Sequence, residues 1–338
     1  RPARALTLNG HAGLVLAAEI GERHTRVAVT DLTPRIQAQH VGEIDVASGP
    51  LPIATWIADR LRALLAEAGS TGLPVLGMGL SLPAPVDFGA GRVVGPSIMT
   101  GWDDFDIAGW FGSRFDVPVV ADNDVNILTL AECRHGWPDA DQLLFIKAGN
   151  GIGSGIVIDG KLHRGAQGAA GDIGHIQLGA APYPLCRCGK LGCVEARAAG
   201  WALARDLRAL GFDTADAHDV LALVRRNQPE AVRLVREAGR VLGEVAADCV
   251  AVLNPSRIIL GGTLARADQH LLAGVLELVY QRSLPLATRQ LQIHTSRLDE
   301  AAGILGTAQL VIESQLQPEA VGSTILRLMR RGEVSSSL

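Results

Sequence analysis

The stretch Cys186-Arg187-Cys188-Gly189-Lys190-Leu191-Gly192-Cys193-Val194-Glu195, preceded by His175, is the most informative part of the chain. Three of the five cysteines lie within it. Gly189 and Gly192 lie between them, where a chain that folds back around an ion needs freedom from Cβ clashes. One imidazole and three thiolates make a closed tetrahedral zinc site with no open position for a catalytic water. We therefore predict a structural zinc ion bound by His175, Cys186, Cys188 and Cys193, with a cluster of metal-free thiols as the alternative.

The composition is that of a large protein with an aliphatic core. The 338 residues suggest two domains, and 48% hydrophobic with 20% charged residues allow a sizeable interior. The net charge of −4 argues against a nucleic-acid-binding surface on this chain. The cysteine pattern is not a disulfide framework, so we expect a reducing, cytoplasmic setting. No apolar run reaches membrane-spanning length, so we expect no membrane partner.

Each half of the chain contains a strand, a glycine turn and a second strand. In the first half, residues 14–20 and 26–32 flank Gly21. In the second half, residues 142–147 and 156–159 flank a glycine-rich turn at 149–155. The repetition predicts a duplicated α/β architecture. Further strands are predicted at 75–82, 117–121 and 257–260, and helices at 51–68, 107–115, 126–133, 195–210, 218–227, 231–253 and 299–314.

Two glycine turns are candidates for nucleotide binding. Gly149, Gly151 and Gly153 alternate with other residues, a pattern that lets backbone N–H groups converge on a phosphate. A tight hairpin that tolerates glycine is an equally good explanation. Gly261 and Gly262 follow a predicted strand, where they would flank the base and ribose of a nucleotide. A plain strand-to-helix turn explains them as well.

Several carboxylates are candidates for sugar binding. Asp124, which follows a predicted strand, would serve as a general base toward a sugar hydroxyl, and Asn123 can donate to and accept from a polyol. The alternative for this segment is a helix N-cap. Asp172 and Glu195 lie beside the metal-binding stretch, where a zinc ion would hold them against a ligand. Ordinary solvated acids are the alternative for both.

Together these motifs resemble the ROK family of repressors and sugar kinases, which has a two-lobed, actin-like and hexokinase-like (ribonuclease H-like) α/β fold. The resemblance implies a smaller lobe of residues 1–121 with 309–338, and a larger lobe of residues 122–308 that carries the zinc loop 175–193. It implies zinc ligands at His175, Cys186, Cys188 and Cys193, and sugar contacts in the cleft between the lobes at Asn123, Asp124, Asp172, His175 and Glu195. It also implies phosphate and adenosine turns at Gly149, Gly151, Gly153, Gly261 and Gly262.

One departure from the family pattern favours a regulator over a kinase. The first phosphate turn of family kinases resembles Asp-Ile-Gly-Gly-Thr, whereas this chain reads Glu19-Ile20-Gly21-Glu22-Arg23-His24-Thr25. Like charges about 4 Å apart cost on the order of 4 kcal/mol at an effective dielectric near 20. Glu22 therefore weakens nucleotide binding unless Arg23 or Mg²⁺ offsets it. Lesser departures are Pro83-Ala84 in place of Pro-Gly, Ser97 near the usual asparagine, and Asp172 in place of glutamate.

The start of the chain favours the same function. It begins at Arg1, and the segments Arg1-Pro2 and 6–10 resemble the joint that follows a helix-turn-helix module in family regulators. We therefore expect the sugar-sensing portion of a homodimeric or larger transcriptional regulator, which contacts DNA only through an upstream module. The alternative is an ATP- and Mg²⁺-dependent sugar kinase of the glucokinase type with Asp124 as catalytic base. A third possibility is a structural oligomerisation module.

Overall fold

The computed structural model describes residues 8–22, 24–69, 72–95, 99–267 and 269–330. Its contacts divide the chain into two compact units: unit 1 comprises residues 1–131 and 300–338, and unit 2 comprises residues 132–299. Arg23 and Ser97, the segment 1–7 with most of the suggested joint, and the tail after 330 lie outside the described residues. Within the described ranges, every helix is too short or too polar to cross a lipid bilayer.

The strands are β1 (Leu14–Ile20), β2 (Thr25–Asp31), β3 (Ile36–Gly42), β4 (Val75–Leu82), β5 (Val86–Asp87), β6 (Arg92–Val93), β7 (Val119–Asn123), β8 (Leu143–Ala148), β9 (Ile152–Ile158), β10 (Lys161–His163), β11 (Arg257–Gly261) and β12 (Gln292–Thr295). The helices are α1 (Pro50–Glu67), α2 (Ile107–Phe115), α3 (Asp124–Ala131), α4 (Val194–Ala198), α5 (Gly200–Ala209), α6 (Ala217–Arg225), α7 (Pro229–Leu253), α8 (Gln269–Arg282), α9 (Pro285–Thr288), α10 (Ala302–Gln315) and α11 (Pro318–Arg330).

Unit 1 is built on a five-stranded sheet in the order β3-β2-β1-β4-β7. The pairs β1–β2 and β2–β3 are antiparallel, whereas β1–β4 and β4–β7 are parallel. The apolar run of β1 is buried on both faces. Leu16 packs with the α1 residue Ile57, and Val15 packs with the α10 residue Val311. A strand covered by helices on both sides has no polar face, which explains why its sequence does not alternate.

Unit 2 repeats this arrangement with the sheet order β10-β9-β8-β11-β12. The pairs β8–β9 and β9–β10 are antiparallel, and β8–β11 and β11–β12 are parallel. Each unit therefore contains the strand–turn–strand hairpin that the sequence indicated, followed by parallel strands. Because parallel neighbours end at the same edge of a sheet, the turns after β8 and β11 lie side by side.

Two of the predicted elements are wrong in extent. The glycine-rich turn covers residues 149–151 rather than 149–155, because β9 begins at Ile152 and Gly153 pairs with Lys147 in the sheet. The single helix predicted over 195–210 is two helices, α4 and α5. Ala199 between them is extended, with φ −75° and ψ 155°. The break lets the Gly200 N–H donate to the Gly149 carbonyl at 2.8 Å, so the turn at 149–151 is attached to α5.

Candidate functional site

The first candidate site is the cluster of His175, Cys186, Cys188 and Cys193 in unit 2. One ligand atom from each residue lies within 4.8 Å of all the others. Cys186 Sγ is 3.7 Å from His175 Nδ1, and Cys188 Sγ is 3.7 Å from Cys193 Sγ. A tetrahedral zinc ion with Zn–S bonds of about 2.3 Å places its sulfur ligands about 3.8 Å apart. The four side chains therefore fit a zinc ion in both chemistry and spacing.

The local sequence produces this cluster through a tight loop. Gly189 and Gly192 adopt φ of +86° and +75°, which residues with a Cβ rarely adopt. The Cys186 N–H donates to the Lys190 carbonyl at 2.8 Å, and the Gly189 N–H donates back to the Cys186 carbonyl at 2.9 Å. These bonds bring Cys186 and Cys188 to the same side of the loop. His175 joins them from the end of a short 3-10 turn, Ile173–His175.

The three thiols differ in their surroundings. Cys186 and Cys193 are buried, and Cys188 is exposed. Burial, followed by the hydrogen bond that the Cys193 thiol donates to Cys188, raises the pKa of Cys193 to about 12. Burial also raises the pKa of the Cys186 thiol, whereas the backbone N–H of Lys190 lowers the pKa of Cys188. A thiophilic cation bound here would take all three as thiolates.

Glu195 connects the cysteine-containing loop to the turn at 149–151. It lies in the first turn of α4, two residues after Cys193. Its Oε2 accepts a hydrogen bond from the Ile152 N–H at 3.1 Å, and its Oε1 accepts one from Trp201 Nε1 at 3.3 Å. Trp201, which no sequence motif indicated as a partner of Glu195, also lies under the Arg187 guanidinium of the loop, 4.7 Å from the ring centroid. The Glu195 carboxylate is therefore held by two segments of unit 2, the start of β9 and α5.

Close backbone packing beside Glu195 requires Gly174. A Cβ at Gly174 would lie 2.3 Å from the Ile152 carbonyl oxygen and 3.6 Å from Glu195 Oε2. The turn that carries Asp172 and His175 therefore lies directly against the start of β9. Asp172 itself is exposed at the beginning of that turn.

The two glycine turns of unit 2 lie at one edge of its sheet. Gly262, with φ +86°, packs so closely that a Cβ there would lie 2.7 Å from the Ala148 carbonyl oxygen. Within the other turn, the Gly149 N–H donates to the Gly151 carbonyl at 3.0 Å. Gly153, predicted to line this turn, is part of β9 instead. Two N–H groups at this edge, those of Gly149 and Ile152, are therefore hydrogen-bonded within the protein.

The candidate residues of unit 1 lie where β7 ends and α3 begins. Asp122, 1% exposed, accepts hydrogen bonds at Oδ1 from the Asn123 N–H and from Asn126 Nδ2, both at 2.8 Å. Asn123 caps α3, because its Oδ1 accepts from the Val125 N–H at 2.9 Å. Its Nδ2 also donates to the Ala84 carbonyl at 2.9 Å. Asp124 is the first residue of α3 and is half-buried.

The turn between β1 and β2 is short and internally bonded. Ile20 pairs with Thr25, and the Gly21 N–H donates to the His24 carbonyl at 2.8 Å. The Glu22 carbonyl accepts from the Val46 N–H at 3.0 Å, which fixes the position of the turn. Glu22 is half-buried. The turn therefore carries a carboxylate at its second residue.

Comparisons with known proteins agree with one another. The ROK family model matches residues 15–314. A putative xylose repressor of Caldicellulosiruptor sp. is 26% identical over 92% of this chain and 81% of its own length. A glucokinase of Halalkalibacterium halodurans is 30% identical over 80% of this chain and 87% of its own length. The crystal structure of a ROK hexokinase from Thermus thermophilus, 29% identical, superimposes with a TM-score of 0.75 over 89% of this chain and 99% of that one. The chain has the hexokinase-like α/β fold and belongs to the ROK family.

Proposed function

We propose that this chain is the sugar-sensing body of a ROK-family transcriptional regulator. The observation that carries the proposal is Glu22 in the turn between β1 and β2, where ROK kinases are expected to cradle the phosphates of ATP. Relatives of both kinds exist, a repressor and a glucokinase, so the family alone does not choose between them. The choice depends on whether the phosphate turns can still accept a nucleotide.

The geometry of the first turn opposes a nucleotide. A phosphate about 4 Å from the Glu22 carboxylate would be disfavoured by on the order of 4 kcal/mol at an effective dielectric near 20. A phosphate turn also needs backbone N–H groups directed at the ligand. The Gly21 N–H is instead used by the His24 carbonyl, 2.8 Å away.

The second turn supports the same choice. Gly149 donates its N–H to Gly151, and Ile152 donates its N–H to the Glu195 carboxylate. A phosphate here would have to break these bonds, and it would approach a second carboxylate. Both effects lower the affinity for an anionic ligand and leave a neutral sugar unaffected.

Both units contain carboxylate and amide side chains of the kind that bind sugar hydroxyl groups. We propose that Asn123 and Asp124 in unit 1, and Asp172, His175 and Glu195 in unit 2, are its hydrogen-bonding residues. Carboxylates make charge-assisted hydrogen bonds to hydroxyl groups that are roughly twice as strong as neutral ones. We further propose that zinc occupies the His175–Cys193 cluster and fixes the loop next to Glu195. This role is structural, because four protein ligands complete a tetrahedral site.

A sugar would control such a regulator by shifting a conformational equilibrium. It can shift that equilibrium only by its difference in affinity for the two states. We propose that the response is passed in a homodimer to a helix-turn-helix module that reads DNA in the cytoplasm. DNA is thus an indirect partner, which agrees with the net charge of −4 on this chain.

One feature favours the alternative of an ATP-dependent sugar kinase. Asp124 directly follows the last residue of β7, and ligands of α/β sheets gather at the carboxyl ends of parallel strands. In that case Mg²⁺ would be needed to screen the phosphates of ATP from Glu22 and Glu195. The similarity to a glucokinase is consistent with this alternative.

A coupled ATP-consumption assay with a panel of monosaccharides, amino sugars and their phosphates separates the two functions. The proposal predicts no sugar-dependent turnover, together with a rise in melting temperature for the effector sugar. Turnover of roughly 1 to 100 per second, the range typical of kinases, would refute it, provided that Asp124→Asn abolishes the activity. That variant distinguishes activity of this chain from a contaminating kinase.

A further inference from the structure

A cavity in unit 2 contains a cationic cluster with no role in the proposed function. The cavity has a volume of about 480 Å³ and lies beside β11, β12 and α8. Its lining combines charged and aromatic side chains with an aliphatic wall. The residues are Trp137, Asp139, Arg257, Leu276, Tyr280 and His294, with Arg297 and the segment 291–293.

Trp137 organises the cationic groups of this cavity. The guanidinium carbons of Arg297 and Arg257 lie 3.3 Å and 4.5 Å from its ring centroid. The His294 ring stacks on the same indole at 4.7 Å with an interplanar angle of 24°. Cation–π contacts of this kind hold a guanidinium in a fixed orientation without using its N–H donors. Two arginines from distant parts of the sequence are thereby held close together.

Arg257 and Arg297 are two cations among the residues that line the cavity, and Asp139 is the one carboxylate among them. A second carboxylate, Glu132, lies behind them and accepts a hydrogen bond from the Arg297 backbone N–H at 3.2 Å. Burial raises its pKa, which favours the neutral form. Arg257 is 15% exposed and pairs with Asp139 at 2.6 Å, but Asp139 is itself 69% exposed. Arg297 Nη1 donates to the Gly136 carbonyl at 3.1 Å, which is a neutral partner. An incoming anion could replace Asp139 at little cost, because the displaced carboxylate would remain in water.

The pKa of His294 is affected by the two arginines. Burial, followed by the charges of Arg257 and Arg297, lowers its pKa below the ordinary value. The ring is therefore neutral near pH 7 and keeps one N–H donor. It can add a hydrogen bond to an anion held by the arginines.

We propose that this cavity binds a small organic phosphate monoester. Its phosphoryl group contacts Arg257 and Arg297, and its carbon skeleton packs on Leu276, Tyr280 and Ile293. Arginine forks match phosphate oxygens, and two guanidinium groups match the near-dianionic charge of a monoester at neutral pH. The aliphatic and aromatic wall is the reason to expect an organic body rather than a free inorganic ion.

The cavity is separate from the glycine turns at 149–151 and 261–262. Arg257 is the first residue of β11, whereas Gly262 follows the last residue of the same strand. At about 3.3 Å per residue, the two positions are roughly 16 Å apart. Binding in this cavity therefore does not depend on whether the protein is a regulator or a kinase.

Isothermal titration of the full chain with phenyl phosphate tests the ligand class, with phenol, benzoate and inorganic phosphate as comparison ligands. We expect a dissociation constant below about 1 mM for phenyl phosphate and at least tenfold weaker binding of the other three. No heat of binding up to about 10 mM phenyl phosphate would overturn the proposal. Equal binding of phenol or benzoate would overturn the role of the phosphate, and equal binding of inorganic phosphate would overturn the role of the apolar wall.

Substitutions test the residues. Arg297→Gln and Arg257→Gln should each weaken phenyl phosphate binding at least tenfold, the loss expected for one charge-assisted contact. Asp139→Asn should tighten binding severalfold, because it removes the competing carboxylate, an effect that a merely structural pair would not produce. Arg282→Gln removes an arginine that pairs with Glu244 outside the cavity, and it should leave binding unchanged. Unchanged affinity in Arg297→Gln, whose side chain is exposed, would refute the assignment.

Discussion

The substitution Cys188→Ser should remove zinc and release the loop next to Glu195. Cys188 is the exposed ligand of the cluster, so the substitution deletes a thiolate and leaves core packing largely intact. Structural zinc sites bind with about 10–16 kcal/mol of apparent free energy, or roughly 2.5–4 kcal/mol for each of four ligands. Zinc affinity should therefore fall about 10²- to 10³-fold.

Metal analysis of protein purified without chelator is the primary assay. We expect one zinc ion per wild-type chain and a substoichiometric amount in Cys188→Ser after gel filtration. Cys249→Ser is the matched control, because Cys249 lies in α7 outside the cluster, and it should retain its zinc. Tryptophan fluorescence gives a second readout, since Trp201 contacts both Glu195 and the loop residue Arg187.

Two results would refute this reasoning. Wild-type protein that contains no zinc would show that the cluster is a set of free thiols. A Cys188→Ser protein that keeps one zinc ion with unchanged affinity would show that the metal lies elsewhere.

Three further predictions concern packing, pH dependence and nucleotide binding. Gly174→Ala should destabilise the protein by about 2–3 kcal/mol in denaturant unfolding, because its Cβ would lie 2.3 Å from the Ile152 carbonyl. Gly179→Ala, whose Cβ meets nothing within 4 Å, should be neutral. Burial raises the pKa of Glu132, so its unfavourable charge develops as pH rises above the unfolded value near 4.3. Relative to wild type, Glu132→Gln should therefore become more stable as the pH rises from 4 to 7. The gain is about 1.4 kcal/mol per pH unit between the unfolded and the folded pKa values of Glu132. A stability difference between the two proteins that stays constant across this range would contradict the prediction. Glu22→Gly should raise MgATP affinity by up to about 10³-fold in calorimetric titrations, and an unchanged affinity would show that the carboxylate does not oppose the phosphates.

The features that could be predicted from the sequence are those that depend on residues close together in the chain. The strands β1 and β4 are predominantly apolar and are followed by glycine or proline, and the structure places them at the predicted residues. The clustering of His175, Cys186, Cys188 and Cys193 was also predictable, because the three cysteines are close in sequence and their side chains have few other shared roles.

The features that were missed depend on contacts between distant segments. The sequence around Ala199 offers one breaker, Gly200, and helices tolerate an isolated glycine, so it did not predict the break that accompanies the hydrogen bond from Gly200 to Gly149. The helix α11 and the strand β12 were also not predicted. The cavity around Trp137 could not be predicted either, because Arg257 and His294 reach it from separate strands.

The central claim is that this chain binds a sugar and has largely lost its affinity for the triphosphate. Parallel calorimetric titrations of the wild-type protein with a monosaccharide panel and with MgATP, the latter in the presence and absence of sugar, test it most directly. The account predicts saturable binding of at least one sugar and no MgATP binding at millimolar concentration. Tight MgATP binding that strengthens when sugar is present would contradict it.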